Sequence, residues 1–275
     1  MEVINRNFFS LLSCGAFGCD CKIEPMSQFK WQQTIATAYF LSVTPYLAKG
    51  IITHEEDRNM NLTEDMLELM RREADSANNR ITMISMHVRD KYVMPRLANA
   101  MNNLKLKHIV YGEYHSIDTS VATLNMLEII IKNINSMTGV GIDMYSLIQL
   151  GLFLRQQGQN VDFVKLETWL GRLGIKKMVN LIGNMLILFF GFDDDEIPFV
   201  HGKDSKAVIL MNSFMDKVKD TVGAHPVENM TEMDNVPRLT VGRVFSGIRY
   251  FGYMPAETVC RTVSDFTKRL SEIEE

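Results

Sequence analysis

The chain has 275 residues, 46% of them apolar and 23% charged, with a formal net charge of −4. That length supports one large or two modest packed domains, and so ordinary an apolar fraction excludes disorder along the whole chain. The small negative charge excludes a general pull towards nucleic acid or anionic lipid, so polyanion binding would need local basic patches.

Near the start, Leu11-Leu12-Ser13-Cys14-Gly15 resembles a lipoprotein cleavage site. The side chains of Met1 to Asn7 carry no net positive charge, and the apolar run Phe8–Leu12 is shorter than the ~7–15 residues of a signal core. A helix is the expectation there. The cysteines are Cys14, Cys19, Cys21 and Cys260. Cys19-Asp20-Cys21 leaves a single residue between its thiols, too tight for the usual paired zinc thiolates, and no histidine is near in sequence. Reduced structural or surface thiols are expected, in a reducing, cytoplasmic compartment, with no metal or other cofactor.

Trp31, Ile35 and Ala38 predict a helix over residues 27–41, ended or bent by Pro45. Leu67, Met70, Ala74, Ala77, Ile81, Ile84 and Val88 alternate steps of three and four and predict a long helix over 62–94. Asn61 with Glu64 reads as its capping box, and Pro95 as its kink. The small residues in this seam predict close contact with another helix of the chain. The seam also offers a surface for pairing two copies as a homodimer.

Lys105 to Tyr114 is the one strand-like run; a lone strand has no partner, so at most a vestigial strand is expected near residues 106–111. Helices resume at Thr119. Leu124, Leu127, Ile131 and Ile134 form one face, and Met144, Leu147, Leu150 and Leu154 the next. Gly139-Val140-Gly141 between them lacks a third glycine and follows a helix, so it reads as a helix–helix turn, not a phosphate loop.

Asp162 is a good N-cap for a helix through Phe163, Leu166, Leu170 and Leu173 that stops at Gly174. Met178, Leu181, Met185 and Phe189 predict a buried helix ending at Gly191. Its apolar run, Met185–Phe192, is far below the ~20 residues that span a bilayer. Val208, Met211, Met215, Val218 and Val222 predict a helix ending at Gly223, and residues 224–237 read as a mobile loop. Pro255 opens a last helix with Val259, Val263, Phe266, Leu270 and Ile273. The expected fold is mainly α, a multi-helix bundle-like array in two parts, 1–117 and 118–275.

Neither a Gly-x-Ser-x-Gly elbow nor a His-Glu-x-x-His pair occurs, and the six histidines are scattered. Asp193-Asp194-Asp195-Glu196 is the densest acidic run; sequence neighbours point apart, so these acids are expected to cap and solvate a turn rather than hold magnesium. The positive charge is more informative. Residues 76–112 contain Arg80, Arg89, Lys91, Arg96, Lys105 and Lys107 against Asp90 alone. Residues 236–256 contain Arg238, Arg243 and Arg249, with no acid, among Phe245, Tyr250, Phe251 and Tyr253. Arg89, Lys91, Arg96, Lys107, Arg238, Arg243 and Arg249 are therefore the candidate anion- or phosphate-binding residues.

Taken in order, several stretches resemble the uncharacterised bacterial nucleotidyltransferase-like family. They are Phe8-Phe9-Ser10-Leu11-Leu12 with Trp31 to Ala36, Arg96 to Ala98 through Leu106 to Gly112, and Gly139 to Leu154 through Val161-Asp162-Phe163, Leu166 to Leu170 and Gly191-Phe192-Asp193 to Phe199. The resemblance implies helical N- and C-terminal parts around a nucleotidyl-transferring α/β core. That core carries its magnesium on an Asp-x-Asp pair after a Lys-Gly turn. Here Tyr111 stands in the lysine's place, and His115-Ser116-Ile117 leads directly to Thr123-Leu124-Asn125, leaving out about a hundred residues of domain. The resemblance thus implies a pseudoenzyme whose role is binding, regulation or scaffolding, its partner a protein or a nucleotide-like anion. Two alternatives remain open. One is an active magnesium-dependent nucleotidyltransferase using Asp118 or Asp193–Glu196; the other is a helical adaptor that binds a polyanion through the basic stretches.

Overall fold

Polar side chains at the helix starts do much to set the architecture. In this computed structural model, which describes residues 2–85, 94–224 and 247–273, Asn99, Ser120, Asp143 and Asp162 each accept a backbone N–H from the first turn of the helix that follows. The described residues form eleven α-helices and no strand. These are α1 (Val3–Phe17), α2 (Gln28–Phe40), α3 (Thr44–Thr53), α4 (Glu64–Ser85), α5 (Ala100–Tyr114), α6 (Val121–Gly139), α7 (Met144–Gln157), α8 (Phe163–Leu173), α9 (Lys176–Phe190), α10 (Lys206–Ala224) and α11 (Pro255–Ile273). The mainly α expectation holds, and no described helix is long and apolar enough to cross a membrane.

Three local expectations need correction or completion. The strand-like run lies wholly within α5: Leu106, Ile109 and Glu113, at helical spacing, are its buried residues, and the Asn99 side chain caps its first turn. The helix expected over 62–94 starts at Glu64, and its cap is Thr63, whose Oγ1 accepts the Met66 N–H, rather than Asn61. Its far end, residues 86–93, and most of the loop expected over 224–237 lie outside the described residues. Pro95 falls in the coil before α5, which restarts at Ala100.

Two compact units result, each discontinuous in sequence. Unit 1 comprises residues 1–92, 187–191 and 208–239; unit 2 comprises 93–186, 192–207 and 240–275. Positions 117 and 118, the cut expected from the sequence, both belong to unit 2.

In unit 1, Phe8, Leu11, Leu12, Trp31, Ile35, Tyr46, Leu47 and Ile51 are buried. Each such side chain contributes ~1.5–3 kcal/mol of burial free energy. Glycine sets the closest approach: a Cβ on Gly15 would lie 1.8 Å from the Tyr46 carbonyl oxygen, and one on Gly50 2.1 Å from that of Leu11. Helices α1 and α3 therefore cross backbone to backbone. Met66 and Met70, at the start of the heptad seam, are buried, and α4 packs on α3 of the same chain.

In unit 2, Leu124, Leu127, Ile130 and Ile131 of α6 are buried with Ile148 and Leu150 of α7 and Leu166 of α8. Asn133, also buried, donates from Nδ2 to the carbonyls of Ile129 and Ser146, 3.0 Å each, and so pins α6 to α7. The Gly139-Val140-Gly141 stretch is the expected helix–helix turn; α6 ends there and Gly141 takes a positive φ of 123°.

Candidate functional site

The crossing of α1 and α3 builds a cluster that no sequence motif announced. Cys14 lies in the last turn of α1, beside Gly15. The helix stops at Gly18, which adopts the left-handed conformation (φ 70°) and donates its N–H to the Cys14 carbonyl at 2.8 Å. The following loop is tied back to α1. Asn7 donates to the Glu24 carbonyl at 2.7 Å and accepts the Glu24 N–H at 3.0 Å, while Arg6 grips the Glu24 carboxylate through two nitrogens. With Ile23 and Met26 buried as well, Cys21 is held in place.

His54, the residue that caps the C-terminus of α3, completes the group. Its Nε2 lies 3.5 Å from the Cys21 Sγ, and its Nδ1 3.8 Å from the Cys14 Sγ and 2.9 Å from the Gly50 carbonyl. One ligand atom from each of Cys14, Cys21 and His54 falls within 4.8 Å of the others. Nδ1 faces the Gly50 carbonyl and Nε2 the Cys21 carbonyl, 3.2 Å away, so a proton on either ring nitrogen has an oxygen to donate to. Burial raises the Cys14 thiol above its ordinary range. Burial, with the nearby Cys14, Asp20 and Cys19, pushes Cys21 up to about 12. Both shifts hold the thiols protonated in the metal-free cluster and make them poor nucleophiles.

Of the seven basic residues expected to bind anions, Arg89, Lys91, Arg238 and Arg243 lie outside the described residues. Arg96 is exposed in the coil before α5, Lys107 is exposed on α5, and Arg249 is exposed in the 3₁₀ turn Gly247–Tyr250; all three belong to unit 2. On α5, Lys105, Lys107, His108, Tyr111 and Tyr114 are exposed, as is the C-cap His115, whose ring stacks on Tyr111 at 4.0 Å. Glu113, the sole acid in α5, is buried instead, accepting from the Ser120 N–H at 2.7 Å and from Lys165 Nζ at 2.9 Å.

The acidic run caps a turn, as its sequence implies. Asp193 and Glu196 form a capping box around the turn Asp194–Glu196, and Arg155 pairs with Glu196 at 2.9 Å while lying 4.3 Å over the Phe192 ring. Asp193, Asp194 and Asp195 are exposed, as is Asp118. In unit 1 a small cleft is lined by Glu2, Asn5, Gln33 and Lys219 among others, and Glu2 and Lys219 pair in its wall at 2.9 Å.

Fold and site together define an α-helical chain bearing a thiol–imidazole cluster in one unit and a basic, aromatic helix face in the other. Searches of protein-family models, curated proteins and solved structures find no match to it. The cluster escaped the sequence because His54 is 33 residues from Cys21. Its traces were Gly15 beside Cys14 and Gly50 one turn before His54, the small residues that let two helices touch.

Proposed function

We propose that this chain is a non-catalytic helical protein that acts by binding, in a regulatory or scaffold role. The observation that carries the reading is what six carboxylates of unit 2 bind. Asp143 and Asp162 cap α7 and α8. Asp204 accepts from the Lys206 N–H and the Tyr253 hydroxyl, and Glu257 from Asn99 N–H and Asn102 Nδ2. With Glu113 and Glu196 engaged as above, these oxygens join helices and turns rather than converging on a place where a nucleotide's metal would sit. Kinship with the nucleotidyltransferase-like family rests on the motif series alone, and the reading treats the chain as a bacterial relative without the catalytic core. Incubation with magnesium or manganese and labelled nucleoside triphosphates should give no transfer to protein or acceptor. Metal-dependent label above a boiled control overturns the proposal and favours an active enzyme using Asp118 or the 193–196 run.

A second reading, a polyanion adaptor, is favoured by the exposed face of α5. Lys107, His108, Tyr111 and Tyr114 share one side of a helix whose one acid is buried, and His115 is its C-cap. Cations among stackable rings suit phosphates and bases.

A further inference from the structure

We infer that Cys14, Cys21 and His54 are the ligands of a structural zinc site in unit 1. The inference is independent of the reading above. Zinc takes thiolate at about 2.3 Å and imidazole at about 2.0–2.1 Å, so a tetrahedral site has sulfur–nitrogen edges of about 3.6 Å and sulfur–sulfur edges of about 3.8 Å. The Cys21 Sγ to His54 Nε2 separation is 3.5 Å, and one ligand atom from each of the three residues lies within 4.8 Å of the others. A small inward movement of Cys14 closes the set.

The surroundings are those of a ligand set. A proton on His54 Nδ1 donated to the Gly50 carbonyl, 2.9 Å away, is the outer contact that would fix a metal-bound imidazole; the ion then takes Nε2 in place of its 3.2 Å contact with the Cys21 carbonyl. Arg6 and Asn7 hold the loop that brings Cys21, and the glycine crossing holds α1 against α3. Two thiolates with an imidazole favour zinc over hard cations such as magnesium or calcium. Cys19 and Asp20 are the metal-ligating residue types nearest Cys21 on the same loop, and the fourth position falls to one of them or to water. Binding releases the two thiol protons to solvent and joins the end of α1, its loop and the end of α3 through one ion.

The full chain, reduced and stripped with a chelator, is titrated with Co²⁺ and then Zn²⁺. One equivalent of cobalt should give thiolate charge-transfer absorption and the intense visible bands of a tetrahedral site, and zinc should displace it. Cys21→Ser and His54→Ala should each weaken zinc at least tenfold, and Cys260→Ser should leave it unchanged. If either variant fails to fold, zinc-edge X-ray absorption of the unmutated chain decides. A shell with two or three sulfurs supports the site; a shell of nitrogen and oxygen alone overturns it. So does the absence of stoichiometric uptake, or uptake that ignores both substitutions.

Discussion

Gly15 and Gly50 face each other where α1 meets α3, and neither position has room for a β-carbon: each would strike the backbone of the opposite helix, at 1.8 Å and 2.1 Å. One residue from Gly15 lies Cys14, and one turn from Gly50 lies His54. The same contact that closes the core of unit 1 thus sets the spacing of the thiol–imidazole cluster.

Gly15→Ala or Gly50→Ala should therefore lower stability by about 3 kcal/mol, because overpacking against backbone cannot be relieved by a rotamer change. Gly112→Ala is the counterpart. It sits exposed in α5 with nothing within 4 Å of a β-carbon, and should gain ~0.5–1 kcal/mol through helix propensity. Urea denaturation of the three variants gives both signs at once.

Glu113→Ala should cost about 2 kcal/mol, since it leaves the Ser120 N–H and the Lys165 ammonium without their buried acceptor. Glu113→Gln should cost less, because the amide oxygen still accepts from Ser120. Equal losses in the two variants would mean that the hydrogen bond to α6 contributes little.

Acid stability should report on Glu196. Burial pushes its carboxyl up, but the Asp193 N–H and Arg155 outweigh that, and the net position is below the ordinary 4.5. The folded state then binds this proton more weakly than the unfolded one. Its contribution is present above the unfolded value and is lost as pH falls through the folded value. Glu196→Gln should flatten the fall in unfolding free energy between neutral pH and about pH 3, most visibly below 4.5.

The α5 face predicts a salt-sensitive interaction. If it binds polyanions, Lys107→Glu should reduce heparin retention and flatten the dependence of binding on salt by about one phosphate contact, and Lys105→Glu, on another side of the helix, should do less. Unchanged elution would leave the helix without that role. Both lysines are exposed, so the fold should tolerate the change.

Much of the fold could be read in advance where signals are local. Asp162 caps α8, Gly174 ends it at φ 69°, and Pro255 opens α11, each fixed by its own backbone chemistry. The run 106–111 looks strand-like because Ile109-Val110-Tyr111 has β propensity, and the expectation of at most a vestigial strand there fits the helix, which burial of Leu106, Ile109 and Glu113 on one side decides. The cap of α4 was misplaced because Asn61 and Thr63 both suit an N-cap, and only the hydrogen bond to Met66 chooses between them. The cysteine–histidine cluster was out of reach for another reason. Its ligands join through a helix crossing, and neither spacing nor periodicity encodes which helices cross.

Glu257 reaches across 158 positions to accept the Asn99 N–H at 3.0 Å, while its other oxygen takes Asn102 Nδ2 at 2.8 Å. The first turn of α5 therefore obtains a buried carboxylate only after a further 158 residues have been synthesised. Contacts so distant along the chain slow the search for the native state. On the ribosome, α5 would emerge long before its carboxylate partner and join α11 late in folding.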